Sequence, residues 1–247
     1  MKPLIVANWK CNPQTTKEAK RLFNLVKGGM NKNVKVVICP PFIFLLKLEV
    51  KNSGLELGGQ DCFWEKGGAF TGEISAGQLL DLGLKYVILG HSERRIHFNE
   101  TDEMINKKIK ATISSKLNPI LCVGESERER KGGKTFNVLK SQIEKGLKGI
   151  SKKEIKNLIV AYEPIWAIGT GRPCNIAEAQ KTRLIIRKIL SRLFGSFLAE
   201  KISIIYGGSV HSKNARSYIK EAGFDGLLPG GASLKAKEFI KIIKSVS

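Results

Sequence analysis

The chain has 247 residues, of which 42% are hydrophobic, and its 42 Lys and Arg against 22 Asp and Glu give a formal net charge of +20. This length fits one large α/β domain or two small ones, with ample apolar content for a full core. No apolar run approaches the ~20 residues of a membrane span, and the run at the start is shorter than a signal-peptide core, so we expect a soluble, cytoplasmic protein.

Eight short runs rich in β-branched residues are predicted as strands. In chain order they cover residues 4–10, 34–40, 55–61, 86–91, 120–124, 158–163, 202–207 and 226–229. The fifth run follows directly on Pro119, and a proline suits the start of a strand.

Amphipathic segments lie between these runs. Residues 16–26 have the apolar stripe of a surface helix, formed by Ala19, Leu22, Phe23 and Val26. Residues 177–194 and 234–243 show the same pattern. Thr101 and Ser75 are predicted to cap two further helices, because their side chains can accept backbone N–H groups of the first turn.

Strands that alternate with helices indicate a parallel sheet. The length matches the ~250 residues of a closed (β/α)8 TIM barrel, which we predict as a single domain over residues 1–247 because no linker interrupts the chain. An open doubly wound sheet is the alternative. Its dinucleotide site would need G-x-G-x-x-G after the first strand, and residues 8–12 read N-W-K-C-N instead.

The sixth predicted strand runs straight into an acidic residue, Glu163. A carboxylate at such a strand end can become more basic through desolvation. The segment that follows has a stiff Pro164, a large Trp166 and two glycines free to adopt positive φ, which is typical of a hinged flap. A base beneath a flap predicts chemistry that must be kept away from water.

Other strand ends of the predicted barrel carry polar residues, and barrel enzymes draw their catalytic groups from this face. Asn8 and Lys10 follow the first strand and His91 follows the fourth. A lone Lys is usually a surface residue and a lone His is often structural. At the end of an apolar strand, Lys10 is expected to face an anion, and a helix start after His91 favours the neutral imidazole.

Glycine pairs follow the last two strands, at 207–208 before Ser209 and at 230–231. Glycine lets backbone N–H groups approach an anion closely, and barrel enzymes frequently bind phosphate in these two loops. Two tight turns would explain either pair alone. Both pairs together favour a phosphate site.

The cysteine and histidine patterns argue against a disulfide-stabilised protein and against a metal-binding protein. The five cysteines are scattered without a C-x-x-C pair, which indicates neither a disulfide framework nor a zinc site. Cys39 and Cys122 are interpreted as small core residues. The three histidines lack the spacing of metal ligands, so we predict no metal.

The high positive charge raises the question of nucleic-acid binding. The basic residues are spread between apolar positions at helical spacing, so solvated helix faces explain them better, and no aromatic residues are interleaved to stack bases. Nucleic acid is therefore not the expected partner. A basic surface would still concentrate anionic substrates.

Seven motifs, in order from the first strand to the last, resemble those of the triosephosphate isomerase family. They are N-W-K at 8–10, T-G-E at 71–73, G-H-S-E-R-R at 90–95, C-V-G-E at 122–125, A-Y-E-P-I-W-A-I-G-T-G at 161–171, Y-G-G-S-V at 206–210 and G-G-A-S-L at 230–234. The resemblance implies interconversion of dihydroxyacetone phosphate and D-glyceraldehyde 3-phosphate through an enediolate, with no cofactor.

The resemblance also assigns roles to residues. It implies that Glu163 is the base and that neutral His91 polarises the carbonyl and shuttles protons. Lys10 would stabilise negative charge, Asn8 would hold the substrate oxygens, and Glu93 would orient Lys10. The flap at 164–174 would close over the phosphate, which would be bound by backbone N–H groups of Gly169, Ser209, Gly230 and Gly231.

The family resembled is usually homodimeric. The resemblance implies that a loop at 62–73 inserts into the partner subunit, with Thr71 near the partner's active site and Glu73 paired with Arg94 across the interface. Aromatic residues in this loop would need covering, which argues against an ordinary surface loop.

Two departures from the family's usual pattern are Pro173 at the far hinge of the flap, which could stiffen it, and Pro229 before the last glycine pair. Two other functions stay open at this stage. One is an inactive barrel that binds phosphorylated sugars, and the other is a nucleic-acid-binding protein.

Overall fold

The computed structural model describes residues 2–169 and 172–247. Within them, eight parallel strands pair in sequence order and close into a barrel, as predicted. Leu4 and Ile5 complete the ring by pairing with Gly226 and Leu227. The strands are β1 (Leu4–Asn8), β2 (Lys35–Cys39), β3 (Leu55–Gly59), β4 (Tyr86–Leu89), β5 (Asn118–Val123), β6 (Ile159–Tyr162), β7 (Ser203–Tyr206) and β8 (Gly226–Leu227).

Helices surround the barrel. In the described part of the chain they are α1 (Thr16–Gly28), α2 (Phe42–Leu45), α3 (Ala76–Asp81), α4 (Ser92–His97), α5 (Asp102–Ser114), α6 (Glu127–Lys131), α7 (Thr135–Gly146), α8 (Ile176–Phe194), α9 (Ser196–Ala199), α10 (Ala215–Lys220) and α11 (Ala236–Ser245). Short 3-10 turns cover Glu154–Asn157, Ile165–Ala167 and Gly231–Leu234. Among these described helices, none has both the length and the apolar character needed to cross a bilayer.

Local sequence signals set several helix starts. The Thr101 hydroxyl accepts the N–H of Met104 at the start of α5. Ser75 forms a reciprocal capping box with Gln78 at the start of α3. Each side chain satisfies backbone donors that a helix leaves unpaired in its first turn.

Alternation along the strands creates two apolar layers. One set of side chains fills the barrel interior, and the other packs against the helices. In β1, for example, Val6 belongs to the inner set and Ile5 to the outer set. Cys39 and Cys122 lie in the inner set and are fully buried, which agrees with their interpretation as core residues.

The predicted strand boundaries were wrong in a consistent way. The observed strands end one or two residues earlier than predicted, because polar residues such as Lys10 and His91 leave the ladder at the rim. The fifth strand begins at Asn118, so Pro119 lies inside it. The missing N–H of Pro119 is tolerated because β5 and β6 pair only from Ile120 onwards.

The last predicted helix also differs. It begins at Ala236 because residues Gly231–Leu234 form a 3-10 turn instead. This turn keeps the second glycine pair at the rim of the barrel, beside β1.

Candidate active site

The carboxyl ends of the strands surround a cavity of about 400 Å³. Most of the residues predicted for the site line its wall, namely Asn8, Lys10, His91, Gly169, Ser209, Gly230 and Gly231. Glu163 does not form part of this wall, but its carboxylate lies 3.2 Å from Nε2 of His91, which does. The structure therefore brings one candidate base, one imidazole and one ammonium group to the same end of the barrel.

Glu163 is held in a tightly packed position at the end of β6. Its backbone N–H donates to the carbonyl of Val123, 2.8 Å away. A Cβ on Gly124 would lie 1.7 Å from the carbonyl oxygen of Glu163, so only glycine fits there. The side chain of Glu163 is 2% exposed. The end of the neighbouring strand β5 thus holds the backbone of Glu163 in place and so determines the position of its carboxylate.

The two carboxylate oxygens of Glu163 have different surroundings. Oε2 accepts the backbone N–H of Ser92 at 3.1 Å. Oε1 is buried without a hydrogen-bond partner and lies 3.2 Å from Nε2 of His91. A buried acceptor is normally paired, so an unpaired one is a common feature of a reactive site. This oxygen has a lone pair available for a proton.

The thiol of Cys122 lies beneath this carboxylate. Burial, and then the charge of Glu163, raise the pKa of the Cys122 thiol well above its ordinary value. The thiol therefore stays neutral beside the carboxylate.

His91 caps the short helix α4. Its Nδ1 accepts the backbone N–H of Glu93 at 3.2 Å. A ring nitrogen that accepts a hydrogen bond carries no proton, so the imidazole is neutral and its proton is on Nε2. This N–H is on the side of the ring that faces Glu163. The helix cap thus selects the tautomer that can act as an acid.

Lys10 has a left-handed backbone, with φ of 54°. Such a conformation costs about 1–3 kcal/mol for a non-glycine residue and needs support from its surroundings. Two side chains supply this support through hydrogen bonds to the backbone of Lys10. Oδ1 of Asn8 accepts the N–H of Lys10 at 3.0 Å, and Nε2 of Gln60 donates to its carbonyl at 2.8 Å. The ammonium group forms an ion pair with Glu93.

The two glycine loops provide backbone donors at the cavity. In the described part of the chain, no intramolecular hydrogen bond uses the N–H of Ser209 or Gly230. Gly231 begins a 3-10 turn, so its N–H has no partner within that turn. Asn214 holds the first loop by donating to the carbonyl of Ser209 at 3.1 Å. Unpaired backbone N–H groups at a cavity wall are the kind of donor that anion sites use.

The predicted flap is anchored at its start by Glu125, which is fully buried. One oxygen of Glu125 accepts the Tyr162 hydroxyl at 3.0 Å and the Trp166 indole N–H at 3.1 Å. The guanidinium of Arg130 lies 4.5 Å from the centre of the Trp166 ring.

The far end of the flap is anchored by two tyrosines. The N–H of Cys174 donates to the Tyr206 hydroxyl at 3.2 Å, and Tyr218 donates to the carbonyl of Cys174 at 2.5 Å. Thr170 and Gly171, which belong to the flap motif, lie outside the described residues.

The residues predicted for a dimer contact lie away from this cavity. Thr71 and Glu73 are exposed on the loop between β3 and α3. Arg94 makes its ion pairs within the chain, with Asp61 at 2.9 Å and Glu100 at 2.6 Å. In the same loop, the ring of Phe70 packs 4.8 Å from that of Phe63.

Sequence reasoning missed three residues at the site. Gln60 donates to the carbonyls of Lys10 and Cys39, and the backbone N–H of Ser92 donates to Glu163. These partners are distant in the sequence, so no local pattern reveals the bonds. Lys235 was interpreted as part of a solvated helix face, but it lines the cavity. Its position just after the second glycine loop could have indicated this.

Proton transfer on a small phosphorylated molecule is the chemistry that this rim supports, so the class of protein is a barrel isomerase. The family model described as triosephosphate isomerase matches residues 3–246. Curated relatives with that name include proteins of Alkaliphilus oremlandii, 47% identical over 245 residues, and Carboxydothermus hydrogenoformans, 46% identical over 246 residues; each alignment covers 98% of both chains. The chain belongs to the triosephosphate isomerase family.

The reaction follows from this membership. The chain is an isomerase that interconverts dihydroxyacetone phosphate and D-glyceraldehyde 3-phosphate by proton transfer through an enediolate, in glycolysis and gluconeogenesis. A similar relative from Dictyoglomus thermophilum, 45% identical over 247 residues, has the same name.

Proposed function

We propose that Glu163 is the base that moves the proton between the two substrate carbons. The observation that carries this role is its unpaired Oε1, buried 3.2 Å from Nε2 of His91. The neutral imidazole of His91 then donates its Nε2 proton to the substrate carbonyl oxygen and recovers it from the neighbouring hydroxyl. A base on carbon and an acid on oxygen together give the enediolate without a metal or cofactor.

Lys10 stabilises the negative charge that develops on the substrate oxygens and attracts the phosphate. Its supported left-handed backbone fits this role, because a strained residue at a cavity wall is often held there for function. Asn8 holds a substrate oxygen and keeps Lys10 in place. Glu93 orients Lys10 through their ion pair. Preorganised charge of this kind is usually a large part of catalysis.

The phosphate is bound by backbone N–H groups of Gly169, Ser209, Gly230 and Gly231. Closure of the flap over it excludes water and protects the enediolate, which would otherwise expel phosphate.

A homodimer is the proposed assembly, with Thr71 directed to the partner's active site and Glu73 paired with Arg94 across the interface. Exposed apolar side chains support it, since Leu46 is 78% exposed, Phe98 63% and Phe70 43%. Sedimentation at increasing concentration is expected to give a mass of two chains. The variant Phe70→Glu is expected to sediment with the mass of a single chain. A monomer at every concentration would refute the dimer.

We also propose one domain over residues 1–247 and a cytoplasmic location. All five cysteines are free thiols, which suits a reducing compartment.

A coupled assay on the purified protein tests the proposed mechanism. Conversion of D-glyceraldehyde 3-phosphate should saturate with substrate, and a phosphate-bearing enediolate mimic should inhibit competitively. Binding of the mimic without any turnover would support the inactive sugar-phosphate-binding barrel instead.

A further inference from the structure

A second and larger cavity opens at the opposite end of the barrel. Its volume is about 1050 Å³, and it is lined by residues at the starts of several strands, including Leu4, Leu55, Tyr86, Asn118 and Ile159. The proposed catalytic residues lie at the other ends of the parallel strands. The proposed mechanism makes no use of this cavity.

The cavity has a strong excess of positive charge. Five lysines line it against a single carboxylate, that of Glu56, which gives a net charge of +4: Lys2, Lys32, Lys35, Lys156 and Lys201. All five are exposed. Lys35 forms an ion pair with Glu56 at 3.2 Å, and Lys201 lies 4.0 Å from the Phe197 ring. In the described part of the chain, the other three form no ion pair.

Only some of these lysines lie where they could offset the dipole of a helix. The carboxyl end of a helix carries partial negative charge that a nearby lysine can offset. Lys32 follows the end of α1, and Lys201 follows the end of α9. Lys2 and Lys35 are at strand entries instead. Several like charges around one opening repel one another, so the cavity is better suited to an anion than to water.

The rest of the lining adds polar amides and an apolar floor. Four asparagines line the cavity, at Asn31, Asn52, Asn118 and Asn157. The Asn118 amide donates to the carbonyl of Lys85, and the Asn31 amide oxygen accepts the N–H of Asn33. Leu4, Tyr86 and Ile159 are buried beneath the asparagines, and the Lys35 ammonium lies 5.2 Å from the centre of the Tyr86 ring. Amides can pair with the edge of a base, and an apolar floor can accept a flat ring.

We propose that this cavity binds a ligand that carries a run of phosphate groups. A nucleoside triphosphate and inorganic tripolyphosphate both have this chemistry. The amides and the apolar floor favour the nucleoside triphosphate. The cavity is also large enough for such a ligand, since small-molecule sites are typically about 300–1,000 Å³.

Calorimetric titration of the full chain with ATP tests the proposal. The enediolate mimic is present at saturation throughout, so that the active-site phosphate loops are already occupied. One saturable site per chain is expected, and its affinity should fall as salt is raised. The triple variant Lys35→Gln, Lys156→Gln, Lys201→Gln should bind ATP at least tenfold more weakly while it keeps its isomerase activity.

A matched control changes the same number of charges elsewhere. Lys17→Gln, Lys181→Gln, Lys188→Gln alters exposed helix residues outside both cavities, and its ATP affinity should stay within twofold of the unmodified chain. Equal weakening in the two triple variants, or no saturable binding of ATP and tripolyphosphate, would overturn the proposal. A parallel titration with tripolyphosphate shows which ligand the site recognises. Tighter binding of ATP than of tripolyphosphate assigns the site to a nucleotide, and equal binding assigns it to the phosphate run alone.

Discussion

Nε2 of His91 lies 3.2 Å from Oε1 of Glu163, and this oxygen has no hydrogen-bond partner. The two side chains come from the ends of β4 and β6, which are not neighbouring strands. The barrel therefore brings an N–H donor and an acceptor within reach of one another without locking them in a hydrogen bond. Both remain available to a small substrate, which is what a reaction with paired proton transfers requires.

Glu163→Gln removes the proposed base and leaves its shape nearly unchanged. The amide oxygen can still accept the N–H of Ser92, so the fold should be preserved. We expect kcat to fall by ~10²–10⁴, the usual contribution of general base catalysis, with a small change in KM. Steady-state assays in both directions measure this. Glu49→Gln, at an exposed position, is the control, and near-normal turnover of Glu163→Gln would rule out the assigned role.

Lys10→Met removes the ammonium group at the cavity wall. Because this charge is proposed to act on the developing enediolate, kcat/KM should fall by about 10²–10³. Lys235→Met is the comparison, since Lys235 also lines the cavity but is exposed. Its effect should be below tenfold and should disappear at high salt, as expected for screened attraction of the phosphate. Equal effects of the two variants would refute a specific role for Lys10.

Tyr206→Phe tests the anchor at the far end of the flap. Burial raises the pKa of the Tyr206 hydroxyl, so it is a neutral partner for the N–H of Cys174. Loss of this partner leaves a buried donor unpaired, at a cost of about 1–3 kcal/mol. We expect kcat to fall by about tenfold and more phosphate to be released per turnover, because the flap protects the intermediate less well.

The control for this variant is Tyr86→Phe, which alters a buried tyrosine at the opposite end of the barrel. It should leave the released phosphate unchanged. If Tyr206→Phe also released no additional phosphate, the bond to Cys174 would have no part in protecting the intermediate.

Local patterns predicted which polar residues lie at the rim, although they placed every strand end one or two residues too late. Glu163 and His91 each follow an apolar run, and parallel strands bring such ends to one rim. Contacts between distant segments left no such pattern. The bond from Gln60 to Lys10 joins residues 50 apart, and the one from Ser92 to Glu163 joins residues 71 apart. The strand ends were placed too late because the residues that turn into the cavity directly follow apolar runs.

A group of four charged side chains, three of them buried, also left no local pattern in the sequence. Lys108 binds Asp61 through both carboxylate oxygens, at 2.9 and 2.7 Å, and also forms an ion pair with Glu100. Arg94 contacts both acids. Burial raises the pKa of Asp61 to about 6 despite the opposing charge of Lys108. Burial also tends to raise the pKa of Glu100. The hydrogen bond from Lys108 and the positive charge of Lys108 outweigh burial, so the pKa of Glu100 is lowered overall.

Asp61→Asn is expected to change the pH dependence of stability. The folded chain binds the Asp61 proton more tightly than the unfolded chain, whose pKa is near 3.8. The carboxyl therefore costs stability progressively as pH rises from about 4 to about 6, and the full cost remains above that range. Replacing it with an amide removes this cost. The free energy of unfolding of the variant, relative to the unmodified chain, should rise by up to about 3 kcal/mol between pH 4 and pH 7.

Urea unfolding at several pH values measures this difference. The protein concentration is fixed, because the stability of the proposed dimer would depend on it. Asp81→Asn, at an exposed position, is the control and should give a difference that does not vary with pH. The sign of the change with pH is the test, and a difference that stays flat or falls from pH 4 to pH 7 would contradict a raised pKa at Asp61.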